Sequence, residues 1–212
     1  MSFDTFIDEI WQNNSIKNFA TKKTQKQLAQ IFLELGHSPK NVLSLGYKNA
    51  GSIALKADYD TDKKYDTVLA FDEYFTYADD EDSQRQMINS AANLLKPGGI
   101  LLSSMRDYRN NPIHKRNLGD SSYININNVH HVIVEINTPN SNDSQSWEQT
   151  NFVIKNDNAA IAYELGTRRT IYFKQLAKYC KDAQCKHFGV LREHFWKSPW
   201  RRTAEHIAWA RF

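Results

Sequence analysis

Two stretches of the sequence decide the fold: KYDTVLAFDE at residues 64–73 and AANLLKPGGILL at residues 91–102. The apolar run in the first stretch predicts a buried strand over residues 65–71. Apolar side chains at three-to-four spacing predict a helix over residues 83–95. The proline and two glycines that follow permit a reversal into a strand over residues 100–105. A strand, a helix and a second buried strand in this order predict a right-handed crossover and a mainly parallel sheet.

The sequence before the first stretch extends this core. A short apolar run predicts a further strand over residues 41–46, which ends at a glycine. We expect this strand and the two described above to be parallel neighbours, because both connections must cross over on right-handed paths. Upstream, apolar residues at helical spacing predict helices over residues 3–11 and 24–35. Gly36 is expected to end the second helix in a left-handed conformation.

The second half of the sequence follows a different pattern. Residues 106–128 are polar and predict an irregular loop. Beyond them, turn-forming residues separate short alternating runs, a pattern that predicts an antiparallel meander inserted after the parallel part. We expect its strands at residues 131–136, 147–155 and 159–164. A helix over residues 173–180 and a closing pair of strands over residues 187–195 and 206–211 complete the predicted elements.

Length and composition indicate one globular domain. The chain has 212 residues, of which 41% are hydrophobic and 24% charged, as in ordinary globular proteins. We divide this domain into four parts. The N-terminal helices span residues 1–38 and the parallel core residues 40–105. Inserted strands and loops span residues 106–165, and a C-terminal helix with an antiparallel strand pair spans residues 166–212. No apolar run approaches the roughly 20 residues that span a bilayer, and we recognise no secretory signal, so we expect a cytoplasmic protein.

Charge and metal-ligand patterns argue against two further classes of site. The formal net charge of +3 is small, so nucleic-acid binding is not expected. The basic C-terminal region is instead expected to face acidic loops within the same fold. The histidines show no metal-ligand spacing, and Cys180 and Cys185 lack a C-x-x-C partner set. We therefore expect no metal site and two reduced thiols.

On the stretches that decide the fold, the chain resembles class I S-adenosylmethionine-dependent methyltransferases. DTVLA at residues 66–70 and LLKPGG at residues 94–99 are similar to the central signature of that family, and residues 169–212 are similar to its C-terminal part. The resemblance implies an α/β fold with a Rossmann-like methyltransferase sheet, an N-terminal helical pair and an inserted antiparallel meander. It implies in-line methyl transfer from S-adenosyl-L-methionine to a small-molecule or protein substrate. The sheet is expected to be shortened, because residues 47–65 cannot hold the two helices and two strands usual in the family.

The resemblance also assigns residues to a site beyond the carboxyl ends of the strands, where open α/β sheets bind their ligands. The implied cofactor-binding residues are Leu45, Gly46, Tyr47, Gly51, Asp58, Phe71 and Asp72. Glycine lets the backbone approach the cofactor closely, and a carboxylate is expected to bind its ribose hydroxyls. The candidates for a catalytic base are Asp72, Glu73 and Asp107. Arg106 and Tyr108 are candidate substrate-binding residues; Arg106 could bind a carboxylate or phosphate, or pair with Asp107.

The loop after the first strand differs from the family pattern and leaves two functions open. Ser44 stands where the family has an acidic residue, and of the glycine-rich loop only Gly46 and Gly51 remain. One interpretation is an active methyltransferase of unknown substrate. The other is a methyltransferase-like fold that has lost cofactor binding and acts as a non-catalytic binding or assembly module. In that case Tyr47 and Lys48 are expected to fill the cleft.

Overall fold

The computed structural model describes most of the chain. The described residues are 26–45, 63–71, 73–110, 112–126, 129–155, 160–196 and 205–212. The helix predicted over residues 3–11 lies outside them. The second predicted helix occupies residues 26–34, and Gly36 has a φ of 57°, as expected for a left-handed helix end.

The larger sheet contains the predicted parallel core. Its strands are Val42–Leu45 (β1), Tyr65–Ala70 (β2), Leu95–Met105 (β3), His187–Trp196 (β8) and Glu205–Arg211 (β9). They are ordered β1-β2-β3-β9-β8. β1, β2 and β3 are parallel neighbours, whereas β9 runs antiparallel between β3 and β8. The prediction of three parallel neighbours and a closing antiparallel pair is therefore confirmed.

Helices cover both faces of this sheet. They comprise residues 26–34 (α1), Glu81–Asn93 (α2) and Phe173–Asp182 (α3). Ile31 of α1 packs in one core with Leu102, whereas Ile88 of α2 and Leu176 of α3 pack in a second core with Leu101. Successive residues of β3 thus enter opposite cores, as strand alternation requires. None of the described helices has the length and apolar character needed to cross a bilayer.

A second sheet follows β3 along the chain. Its strands are Asn117–Ile126 (β4), Val129–Pro139 (β5), Ser146–Lys155 (β6) and Ala160–Arg169 (β7). Each strand pairs antiparallel with the next, in the order β4-β5-β6-β7. This is the predicted inserted meander, and we refer to it as the meander sheet.

The meander sheet has one strand more than the sequence predicts. β4 lies within residues 106–128, where the polar sequence predicts an irregular loop, so that prediction is wrong. The pairing of β4 with β5 shifts register between Leu118 and Ser121. Such a bulge interrupts the two-residue alternation by which a strand is recognised.

The helix predicted over residues 83–95 is displaced towards the N-terminus. It begins earlier because Asp80 caps it: the Asp80 Oδ1 atom accepts a hydrogen bond from the Ser83 N–H at 2.7 Å. β3 also begins earlier than predicted, at Leu95, which already pairs with the first residue of β2 before the register shifts. Gly98 has a φ of 81° in this irregular segment, a conformation that favours glycine.

Asp66 connects three segments of the larger sheet. Its Oδ2 accepts hydrogen bonds from the backbone N–H groups of Lys40, at 2.9 Å, and Asn41, at 2.8 Å, just before β1. Its Oδ1 accepts a hydrogen bond from the Lys96 Nζ of β3 at 2.8 Å. The bond from Lys96, followed by the two backbone bonds, lowers the pKa of Asp66 to about 2.

Replacing Asp66 by asparagine is expected to destabilise the protein in a pH-dependent way. A carboxyl group whose pKa falls on folding stabilises the fold above its ordinary value of 3.8, and this contribution is lost as the pH falls towards the folded value. Urea unfolding should show a constant gap between wild type and Asp66→Asn above about pH 5 and a closing gap below about pH 4. Asp182→Asn, an exposed change at the end of α3, should follow the wild type. A gap that does not depend on pH would contradict this role of Asp66.

Candidate functional site

The carboxyl ends of the three parallel strands meet at one edge of the larger sheet, where ligands of such sheets bind. Leu45 ends β1 and Phe71 follows β2, and both side chains are buried. They enter the cores on opposite faces of the sheet. Met105 ends β3 and lies in the same core as Leu45. These strand ends are therefore apolar, and apart from Ser104 of β3 the polar groups beside them that the structure describes come from neighbouring segments.

Only some of the predicted site residues can be placed. Gly46, Tyr47, Gly51, Asp58 and Asp72 lie outside the described residues, so their roles remain predictions. The structure brings Glu73, Arg106 and Tyr108 together next to the ends of β2 and β3, and it places Asp107 beside them in the chain.

Glu73 has an unusual backbone conformation. Its φ of 57° and ψ of 35° are left-handed values, which cost a residue with a side chain about 1 kcal/mol or more. Local hydrogen bonds hold it there. The N–H and the Oγ1 of Thr76 both donate to the Glu73 carbonyl at 2.8 Å, and the Glu73 N–H donates to the Ser104 Oγ at 3.4 Å. In this conformation the Glu73 side chain is buried.

Three side chains converge on the buried Glu73 carboxylate. The Tyr108 hydroxyl donates a hydrogen bond to its Oε1 at 2.8 Å. The Arg106 Nε atom lies 3.4 Å from the same oxygen, and an Nη atom of Arg168 lies 3.9 Å from the Oε2. Two guanidinium groups beside one carboxylate offset the cost of removing that charge from water.

Arg168 links the meander sheet to this cluster. It lies near the end of β7 and has no solvent exposure. Its Nε donates to the Thr76 Oγ1 at 3.0 Å, and its guanidinium carbon lies 3.3 Å from the centre of the Tyr77 ring, within cation–π range. Trp147 of β6 pairs with Arg168 in register and packs against Tyr108, with ring centres 5.5 Å apart. Two meander residues thus reach the edge of the larger sheet.

The predicted base and substrate residues that the structure describes are all engaged within the protein. Burial, and then the nearby Glu73 charge, raises the pKa of Tyr108 well above its usual range, so its hydroxyl is a neutral donor at physiological pH. Asp107 accepts hydrogen bonds from the Arg109 N–H at 3.1 Å and the Asn110 Nδ2 at 2.7 Å, and so caps a turn. Arg106 forms its ion pair with Glu73.

Sequence reasoning missed three buried residues of this region. Arg168 and Trp147 come from the meander sheet, and Glu205 of β9 accepts a hydrogen bond from the Ser104 Oγ. A charged residue in a strand carries no local signal that it will be buried, since its partners are distant in sequence. Trp147 could have been selected as a large aromatic residue at the start of a predicted strand.

One face of the meander sheet is lined with buried polar side chains, and we call it the polar face. Pairing in register places Trp147, Gln149, Asn137, Glu135 and Arg168 on this face, and all five are buried. Within the described structure, the Trp147 Nε1 and the Asn137 Oδ1 have no hydrogen-bond partner. The Asn137 Nδ2, in contrast, donates to Glu135 at 2.9 Å. Buried polar atoms are nearly always hydrogen-bonded, so these two atoms are candidates for contacts that lie beyond the described residues.

Comparison with known proteins gives a similar fold and no similar sequence. No protein-family model and no curated protein sequence matches the chain. Among the solved structures, the methyltransferase CcbJ from Streptomyces caelestis has a TM-score of 0.57 at 13% sequence identity. The match covers 87% of this chain and 94% of CcbJ.

Two sugar-modifying enzymes have similar structures. CalS10, an amino pentose methyltransferase from Micromonospora echinaspora solved with bound S-adenosylmethionine, has a TM-score of 0.64 at 10% identity, over 89% of each chain. The sugar N-methyltransferase KedS8 from Streptoalloteichus has a TM-score of 0.58 at 8% identity, over 82% of this chain and 80% of KedS8. These similarities confirm the fold class predicted from the sequence.

Proposed function

We propose that this chain, which has the fold of class I S-adenosylmethionine-dependent methyltransferases, transfers a methyl group from S-adenosyl-L-methionine to a small polar molecule. The similar structures support this through the fold alone, because their sequence identities are low. The observation that carries the proposal is the polar face beside the carboxyl edge of the parallel strands, on which the Trp147 Nε1 and Asn137 Oδ1 have no hydrogen-bond partner among the described residues.

The proposed cofactor site lies beyond β1 and β2. Backbone N–H groups around Gly46 and Gly51 would face the carboxylate of the cofactor, which supplies the methyl group when bound. Glu73 is unsuited to bind the ribose, because three side chains already contact its carboxylate oxygens. Asp58 or Asp72 is therefore the proposed carboxylate that binds the ribose hydroxyls.

The two unpartnered atoms on the polar face define the chemistry of the proposed acceptor. The Trp147 Nε1 can only donate a hydrogen bond and the Asn137 Oδ1 can only accept one. A ligand group between them needs a lone pair for the indole N–H, a proton for the amide oxygen and a further lone pair to attack the methyl carbon. A hydroxyl has all three. Methyl transfer then requires that the free lone pair attacks the methyl carbon in line as the bond to the cofactor sulfur breaks, and that the hydroxyl proton passes to a base, for which Asp72 is the remaining predicted candidate. The cluster around Glu73 contributes by fixing the meander sheet against the strand edge.

The alternative function, a binding or assembly module without cofactor, is favoured by the close packing of the described edge. The recess between Glu73, Ser104, Tyr108 and Ile171 has no room for a water molecule. Glu73 and Asp107 are both hydrogen-bonded within the protein, so neither is poised to accept a proton from a substrate. Under this alternative the Glu73 cluster serves only to join the two sheets.

Calorimetric titration with S-adenosylmethionine and with its demethylated product separates the two functions. A methyltransferase is expected to bind both with micromolar dissociation constants, whereas the module shows no heat of binding at millimolar ligand. Asp58→Ala is expected to weaken binding about ten- to a hundredfold, because a charge-assisted hydrogen bond contributes about 1.5–3 kcal/mol. Asp182→Ala is the control and should bind as the wild type does. Unchanged binding by Asp58→Ala would refute the ribose assignment to that residue.

A further inference from the structure

The face of the meander sheet opposite the polar face carries a group of apolar side chains that are open to solvent, beside the polar Glu148 and Thr150. The strand registers place on it the side chains of Leu118, Tyr123, Val132, Val134, Phe152 and Ile154. Leu118 is 72% exposed, Tyr123 63% and Ile154 39%, and the other three are partly exposed. We call this surface the apolar face.

The described side chains of the two faces reverse the usual arrangement of an antiparallel sheet, which buries apolar side chains and exposes polar ones. The opposite orientation of the meander sheet, with its apolar face buried, would break the contacts of Arg168 with Glu73, Thr76 and the Tyr77 ring. The contacts that fix the polar face therefore hold the apolar face outward. Contiguous apolar patches of this kind are uncommon on proteins that remain monomeric.

We propose that the apolar face packs against the apolar face of a second copy of this chain, forming a two-fold symmetric dimer. A surface that binds its own copy across a two-fold axis must complement itself. An apolar sheet face without charges at its centre meets this condition, since two such sheets pack about 10 Å apart with interdigitating side chains. The proposal does not depend on methyl transfer.

The area of the apolar face is comparable with the area that a stable dimer interface buries. Four strands of about ten residues, about 4.8 Å apart and rising about 3.3 Å per residue, give a face of about 600 Å². Two copies whose faces overlap completely would bury about 1,200 Å² in total, which is the lower limit of stable specific interfaces.

The chemistry of the face also resembles that of an interface between copies. Val134 pairs with Phe152 at its centre, where no charge has to be desolvated. Towards one end, the Tyr123 hydroxyl and the His130 Nδ1 share a hydrogen bond, and their rings stack with centres 5.3 Å apart. An apolar centre with polar groups at its margin is the usual composition of a protein interface.

Size-exclusion chromatography with light scattering on the full chain tests the proposal. Over a dilution series, the wild type should show a species of twice the 24.6 kDa chain mass. Changing both Leu118 and Tyr123 to lysine should raise the dimer dissociation constant at least about a hundredfold. Both side chains are exposed in the single chain, so the monomer should fold as before. Leu33→Lys, on a residue of α1 that is 82% exposed, is the matched control and should remain dimeric.

Each outcome decides the question. A wild type that is monomeric throughout the series overturns the proposal. A dimer that survives the double change, or that Leu33→Lys also abolishes, places the interface elsewhere and overturns it too. Circular dichroism checks the fold of every variant. If the double variant does not fold, Leu118→Ser alone should still weaken the dimer about tenfold, and an unchanged dimer in that variant would reject the proposed face.

Discussion

Replacing Arg168 by methionine is expected to lower the free energy of unfolding by about 3–5 kcal/mol. Methionine keeps an apolar stem but removes the charge from a fully buried position. Glu73 then loses a guanidinium group 3.9 Å from its Oε2, Thr76 loses a donor, and the Tyr77 ring loses its cation. The carboxylate remains buried with less compensation, so the loss should exceed that of a surface ion pair.

Urea unfolding followed by circular dichroism measures this loss, and a double-mutant cycle identifies its cause. Glu73→Gln removes the charge that Arg168 compensates, so the double variant should lose less stability than the sum of the single variants, by at least about 1 kcal/mol. Arg192→Met, at an exposed position of β8, is the matched control and should change stability by about 0.5 kcal/mol or less. Additive losses in the double variant would contradict the pairing of Arg168 with Glu73.

Replacing Trp147 by alanine is expected to cost about 3–5 kcal/mol, because a large buried side chain that packs against Tyr108 is removed. Trp147→Phe should cost less than about 2 kcal/mol, since it keeps an aromatic ring at the same place. The Nε1 atom that it removes has no hydrogen-bond partner in the described structure, so no hydrogen bond to a described residue is broken. Urea unfolding of the two variants gives both values, and equal losses would contradict this account of Trp147.

The Trp147→Phe variant also tests the proposed substrate class. If the Nε1 donates to a hydroxyl of the acceptor, the variant should bind S-adenosylmethionine as the wild type does. Its methyl transfer to an accepted small molecule, followed by mass spectrometry, should fall about tenfold. Equal transfer by the two proteins would show that the indole N–H does not contact the acceptor.

The core of the larger sheet could be predicted because its signals are local. The apolar runs of β1, β2 and β3 and the proline and glycines at residues 97–99 lie within short windows, and three parallel strands need right-handed crossovers. β4 could not be predicted in the same way, because a bulge interrupts its alternation. The start of α2 depended on a single capping side chain, which shifts a boundary without changing the pattern.

The candidate site could be predicted only in part. Glu73, Arg106 and Tyr108 were selected because they follow strands whose carboxyl ends meet, and the structure does bring them together. The contacts of Arg168 with this cluster were not predicted. Arg168 is far away in the sequence: it lies 92 positions from Thr76, the residue to which it donates a hydrogen bond. No local pattern specifies a contact between residues so far apart in sequence, and only the docking of the meander sheet creates it.

The pairing of β3 with β9 has a consequence for the nascent chain. Ile100 of β3 pairs with Arg211 of β9, and the whole meander sheet is encoded between them. At about 5–20 residues per second, a ribosome needs roughly 5–20 s to make the intervening sequence. During that interval β3 presents an apolar edge with unpaired backbone groups, which can pair with strands of other chains. The rate of translation, rather than the stability of the finished protein, therefore sets how long the new chain is at greatest risk of aggregation.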